Sequence, residues 1–436
     1  MWIVQHSGGL AGHFPACDFA PAQLPHPLSL VSTWPNFIAK HTMQLFLAIA
    51  KERFRLVLER MNKTSQDQFQ RIVGQRVKLA REDANLSQDE LASELGFNDR
   101  QTLSNIEAGK RKLTAEELVK LIQVLGKKLE YFTDTFSLVG EGVFSWRAVG
   151  AAPASLDEFE AKAGRWIATF RRLGEIKGES YNPLLQQLTL TDRSSFEEAQ
   201  AAGEALVADW QLGDIPAQKL REVVEDRLKI LVLYVDAPVG ISGAACQLPQ
   251  FNTILVNRRE PDGRRNYDFA HETFHVLTWN VMPPRPYDAA DRYEGTKVKR
   301  VEQLANNFAA ALLMPAASLK PRWERRGDQD PHDWLNATAS ELELSSEALY
   351  WRLRQLGWLT QAASLDIVKE RLTWNGCSPS EQTLPRLFSH RFVERLHWAL
   401  ERGEISVRRA AGLLDMTVED LEDLFKSYGF SVPFDV

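Results

Sequence analysis

The sequence predicts a mainly α protein with one small antiparallel β-sheet, an α+β chain in three folded parts. Three observations carry this reading. Apolar residues recur at helical spacing along most of the chain. One stretch, "LKILVLYVDAP" followed by "GISGAACQL" and "NTILVN", is instead short, β-branched and punctuated by Gly, Pro and Asn, as strands are. Residues 87–109 read as two short capped helices joined by a tight turn, which is helix-turn-helix geometry. The parts are then an N-terminal helix-turn-helix bundle, a central domain around the sheet, and a C-terminal helical bundle.

A chain of 436 residues, 44% of them hydrophobic, is long enough for two to four domains with real cores. The net charge of −6 excludes a uniformly basic nucleic-acid coat, so any DNA contact must be local. Cys17, Cys246 and Cys377 lie far apart and form no CxxC, which points to a reducing cytoplasm. The apolar run "LFLAIA" near the start is far short of the roughly 20 residues of a membrane span. No basic stretch followed by an apolar core opens the chain, so neither a signal peptide nor a membrane partner is expected.

Residues 1–65 are read as an extension and one helix. The first 42 are Pro-rich and almost uncharged, and Met43 opens a helix-like stretch, so Met43 or Met61 is an alternative start. Residues 66–136 form the helix-turn-helix unit. Ser87 with Glu90 makes a capping box, Leu91, Ala92 and Leu95 face inward, and Gly96 stops the helix. Asn98 or Asp99 caps the next helix, whose Leu103 and Ile106 turn inward. The second helix of such a pair enters the major groove through its first residues, here Arg100, Gln101, Thr102, Ser104 and Asn105. Arg suits guanine, and Gln or Asn suits adenine.

This pattern resembles the phage-repressor-like XRE family over about residues 70–136. The resemblance implies a double-stranded DNA operator as partner, with Arg100, Gln101 and Asn105 on bases and Gln88 on phosphate. It makes Glu107 structural, and Lys110, Arg111 and Lys112 either further phosphate contacts or a solvated run. The other use of this fold is protein docking. A homodimer is expected, since such readers bind paired half-sites.

Residues 137–375 form the central domain. From Phe144 to about Asp226 the reading is helical, with Ser155 as N-cap of "SLDEFEAKAGRWIATFRRL". The strands follow, and helices return at Tyr267. "NYDFAHETFHVLTW" sets His271 and His275 one helical turn apart on one face, so both can point at one ion. Zinc suits imidazole nitrogen and needs a third protein ligand and an open position. Glu272 follows the first histidine, where it can take a proton from a water that the metal acidifies. The plainer alternative is a helix whose histidines merely pack. Glu302, thirty-one residues after His271, begins an amphipathic helix closed by Pro315, and Asn306 sits one turn beyond it. Tyr267, one turn before His271, is a candidate transition-state stabiliser or a core residue. His332 is read as a loop residue.

"DFAHETFH" with "EQLANNFAAALLMP" resembles the ImmA/IrrE zinc metallopeptidases, over roughly residues 145–360. Phe269 stands two before the motif, and "ISGAA", "ILVN" and the Arg352, Leu353, Leu356 and Gly357 positions also match. Thr273 and Phe274 depart from the family's usual Leu-Gly. The resemblance implies a zincin-like fold, Zn2+ held by His271, His275 and Glu302, and Glu272 as catalytic base.

Residues 376–436 read as a small helical, helix-turn-helix-like unit, with Ser406 and Thr417 as N-caps and an acidic last helix unsuited to DNA. Packing, dimerisation or substrate docking is its expected use. Two functions follow. One is a DNA-bound zinc endopeptidase that cleaves a transcriptional repressor on a stress or mobile-element signal. The alternative is an XRE-type repressor or antitoxin whose peptidase-like domain serves as sensor or scaffold.

Overall fold

Five helices build the N-terminal unit: α1 (Lys63–Asp83), α2 (Gln88–Leu95), α3 (Arg100–Glu107), α4 (Ala115–Leu125) and α5 (Leu129–Thr133). The computed structural model describes residues 63–434 except 149, 151, 180, 182–185, 250, 285–286, 290–295, 362–365 and 373–383. The N-terminal extension, the helix expected from Met43, the choice of Met43 or Met61, and Cys17 and Cys377 lie outside the described residues. Ser87 and Glu90 form the expected reciprocal cap, Gly96 ends α2 in the left-handed region, and Asp99 caps α3. Leu91, Leu95, Leu103 and Ile106 pack with Phe69, Val77 and Phe132 in one core. Arg76, wholly buried in α1, donates to Glu141 and to the carbonyls of Tyr131, Asp134 and Ser137. That saturated guanidinium ties the unit to the chain that leaves it.

The central sheet has five strands in the order β2-β4-β3-β1-β5: β1 (Val143–Ala148), β2 (Leu231–Val235), β3 (Ile241–Gln247), β4 (Asn252–Asn257) and β5 (Tyr287–Ala289). It is mixed, not antiparallel as expected. β3 pairs antiparallel with β4 and β1, whereas β2 lies parallel to β4 and β5 parallel to β1. Parallel pairing goes with burial of both faces, and every residue of β4 is buried. Strand alternation divides the apolar side chains. Val232, Ala245, Ile254 and Val256 face one core, while Leu231, Leu233, Ala244, Cys246 and Leu255 face another.

The first face is covered by α7 (Phe196–Asp209), α8 (Ala217–Asp226), α9 (Asp262–Thr278) and α10 (Thr296–Leu313). They are followed by α11 (Ala316–Glu324), α12 (Pro331–Glu341) and α13 (Ser346–Gln355). A Cβ at Gly203 of α7 would stand 2.6 Å from the carbonyl oxygen of Phe308. Glycine therefore allows α7 and α10 to touch backbone to backbone, which fixes the helix that carries Glu302. The second face is covered by α6 (Pro153–Lys177) with α14 (His390–Glu401), α15 (Val407–Leu414) and α16 (Val418–Ser427). Ser406 and Thr417 cap α15 and α16 as expected. Phe388, Phe392, Leu396 and Phe425 join Trp146, Trp166 and Phe170 in one core. The C-terminal helices thus pack as a layer of the sheet domain, not as a separate bundle.

Five local expectations change. β1 falls where helix was expected, and β5 interrupts the helices expected after Tyr267. α9 starts at Asp262, five residues before Tyr267. Ser155 lies inside α6, which starts earlier because Pro153 suits a first helical turn that needs no N–H. His332 is buried in α12, where its Nε2 accepts from the Val368 amide at 2.9 Å. No helix among the described residues is long and apolar enough to cross a membrane.

Candidate metal centre and nucleic-acid interface

α9 and α10 pack side by side, and the contact brings His271, His275 and Glu302 together. Their ligand atoms all lie within 4.8 Å of one another, and all three residues are buried. His271 Nε2 is 3.0 Å from Glu302 Oε2 and 3.0 Å from His275 Nε2, and His275 Nε2 is 3.4 Å from Glu302 Oε1. Ligands about 2.1 Å from one tetrahedral ion would stand roughly 3.4 Å apart, so the triangle is nearly the right size for zinc.

The tautomer supports the same reading. His271 donates from Nδ1 to Asn306 Oδ1 at 3.0 Å. In a neutral ring this leaves a lone pair at Nε2, facing a carboxylate oxygen. Two acceptors that close need a proton or a metal cation between them. Burial pushes the His271 ring down to about 4, with Arg147 acting in the same direction and Glu302 opposing both, which favours the neutral form that a metal ligand needs. Burial alone would raise Glu302, but His275 and His271 outweigh it and hold the carboxyl well below the usual range. The donor set of two imidazoles and one carboxylate fits zinc with a position left open. Asn306 orients His271 as outer-shell partners of metal ligands do. Asn306→Ala is expected to weaken zinc binding about 10- to 100-fold, measured by competition with a chromophoric chelator. Unchanged affinity would remove Asn306 from the centre.

Glu272 is also buried, and burial pushes its carboxyl up to about 7, against His275 and Arg147, which favour the charged form. Tyr267 donates its hydroxyl to the Asn306 carbonyl at 2.9 Å, and burial pushes its phenol up to about 12. It thus braces α9 against α10. A cavity of about 540 Å³ opens beside the centre, with Arg147, Tyr267, Asp268, Asn306 and Trp351 in its wall.

Arg147 and Asp268 have no counterpart in the sequence reading. β1 delivers Arg147 to the α9 side of the sheet while Trp146 and Ala148 enter the opposite core. Its Nη1 is 3.2 Å from Asp268 Oδ1. Asp268, one turn before Glu272 in α9, could have been suspected from spacing alone. Arg147 could not, because its strand was read as helix.

In α3, Arg100 and Gln101 are exposed, and Thr102 and Asn105 are half-buried. Gln101 donates to Asn105 Oδ1 at 3.2 Å, which orders the pair on one helical turn. Buried Glu107 pairs with Arg81 at 2.6 Å and accepts from Gln88 at 2.7 Å, while Gln88 accepts from Arg100 at 3.1 Å. The structure therefore joins Gln88 and Arg100 through one polar chain anchored on Glu107. Arg111 pairs with Glu117, whereas Lys110 and Lys112 are exposed.

No curated protein matches the chain by sequence. Among solved structures, the apo form of the competence regulator ComR from Streptococcus vestibularis aligns at 12% identity. The alignment covers 83% of this chain and 100% of that one, at a TM-score of 0.15, too low to indicate a common arrangement. Family models are more informative. Residues 77–132 match the helix-turn-helix model, and residues 225–354 match the IrrE N-terminal-like domain of peptidase family M78. The second match contains α9 and α10 with all three candidate ligands, and the chain is therefore a fusion of an XRE-type helix-turn-helix domain with an IrrE-like peptidase-family domain.

Proposed function

We propose that this chain is a cytoplasmic, DNA-bound zinc endopeptidase that cleaves a transcriptional repressor when a stress or mobile-element signal arrives. The observation that carries the proposal is the convergence of His271, His275 and Glu302 beside the buried carboxyl of Glu272. A bound zinc ion would supply Lewis acidity and acidify a water at neutral pH. Glu272 accepts the proton of the attacking water at its carboxylate and returns it to the departing amide nitrogen. Its raised pKa suits both transfers. His271 and His275 hold their Nε2 lone pairs toward the site, and Asn306 keeps the first of them in its tautomer.

The test is cleavage in cells of the repressor encoded beside this gene, in wild type and Glu272→Gln, with zinc content measured on both proteins. About one zinc in each and a loss of cleavage of at least roughly 100-fold in the variant is the expected result. Zinc in both with no cleavage by either under inducing stress would favour the second reading. That reading is an XRE-type repressor or antitoxin with a metal-binding scaffold, and the near-complete burial of the centre speaks for it.

In either reading, α3 lies in the major groove of an operator, as a homodimer on paired half-sites. Gln101→Ala or Asn105→Ala is expected to cost about 1–3 kcal/mol and relax specificity at the contacted base, whereas Gln88→Ala weakens binding evenly across sequences. Titration of mutant operators separates the two effects, and equal losses on all operators from Gln101→Ala would remove it from base reading.

A further inference from the structure

We propose that Arg147 contacts the substrate in this centre: its guanidinium donates to the carbonyl oxygen of the bond being cut and holds the negative charge that develops there. The assignment rests on the peptidase reading above. Four observations lead to it. Arg147 stands on β1, and its side chain crosses to the α9 side, in the wall of the cavity beside the metal centre. It acts electrostatically on His271, Glu272 and Glu302, so its charge reaches the reacting groups. Asp268, 3% exposed, holds the guanidinium through Nη1 at 3.2 Å, an ion-pair contact without hydrogen-bond alignment, so buried Nη1 still has no hydrogen bond. A buried N–H without an acceptor is costly, and a bound carbonyl oxygen would supply one. Finally, Tyr267, the residue that spacing offered for this task, already donates its hydroxyl to the Asn306 carbonyl.

The step balances without any co-reactant but water. The water oxygen forms a bond to the carbonyl carbon while its proton passes to Glu272. The carbonyl π pair moves onto oxygen, where Arg147 faces it. The oxygen's pair then returns to re-form the carbonyl as the carbon–nitrogen bond breaks, and the pair left on nitrogen takes the proton that Glu272 returns. Preorganised donors of this kind stabilise the transition state more than the ground state.

The test uses the full chain loaded with zinc, as wild type, Arg147→Met and Arg147→Lys. Two probes are titrated. Acetohydroxamate needs the metal alone, whereas N-phosphoryl-leucyltryptophan presents a tetrahedral anion where the carbonyl would be. The expected result is unchanged zinc content and acetohydroxamate affinity in Arg147→Met, with phosphoryl-dipeptide affinity down about 100-fold and kcat for the cleaved repressor down by a similar factor at little change in KM. Lysine, a point charge without the planar fork, is expected to fall between. Undiminished phosphoryl-dipeptide affinity in a zinc-loaded methionine variant would overturn the assignment and leave the peptidase reading standing. Failure of wild type to hold zinc or either probe would overturn the peptidase reading and this assignment with it. Should the methionine variant not fold, the lysine variant decides: a loss of tenfold or more supports the contact, and wild-type affinity refutes it.

Discussion

His275→Ala is expected to abolish zinc binding at micromolar metal, and with it both cleavage and the stability that zinc confers. Three ligand atoms make the centre, and even the loss of an outer partner costs about 10- to 100-fold in affinity. Loss of a ligand that lies 3.0 Å from one neighbour and 3.4 Å from the other costs more. At zinc concentrations about 1,000 times Kd, binding adds roughly 4 kcal/mol to the stability of the folded state. Wild type and Glu272→Gln should both gain that increment over their metal-free forms, and His275→Ala should gain none. Thermal unfolding with and without a chelator reads this directly. An alanine variant that still holds one zinc per chain would mean that the ligand set is wrong.

The second large effect lies outside the centre. Arg352 of α13 is completely buried, yet every arm of its guanidinium is used. Nε donates to the Met314 carbonyl at 3.0 Å, Nη1 to Gln200 at 3.0 Å, and Nη2 to Glu204. It locks α13, α7 and the end of α10 together. Arg352→Met keeps most of the volume but leaves the buried Met314 carbonyl and Gln200 without their donor. Each such group costs about 1–3 kcal/mol, and Glu204, partly in water, costs less. A total near 3 kcal/mol is expected, seen as a lower denaturant midpoint at unchanged slope. Arg371→Met removes only the exposed pair with Asp330 and should cost under about 1 kcal/mol. Equal effects from the two would contradict the role given to Arg352.

The legible parts of this molecule were those written in local spacing. Ser87, Asp99, Ser406 and Thr417 cap helices because a side-chain oxygen and an amide three residues on are neighbours in the chain. His271 and His275 share a face for the same local reason. Glu302 was reachable only through resemblance, since nothing in a helix announces which other helix it will meet. Asn306 was noted as Glu302's neighbour, but its bond to His271 belongs to the packing of α9 on α10. The mixed pairing of the sheet was hidden because alternation reports burial and not direction. β1 was hidden because its partner in β3 lies about a hundred residues away and its six residues sit before a 25-residue helix that dominates the local pattern. Arg147 went with it.

The layer formed by α14, α15 and α16 bears on the order in which this protein comes into being. The core of the helix-turn-helix unit is drawn from Phe69 to Phe132, a local set of contacts that closes early. The second core joins Phe144 to Phe425, so that face of the sheet stays open until the ribosome has delivered nearly the last helix. Chains dominated by distant contacts fold slowly, because loop closure must precede its reward. The helix-turn-helix unit therefore matures first, during synthesis, and the sheet domain afterwards. A nascent chain holds a finished helix-turn-helix core before the sheet can close its second face.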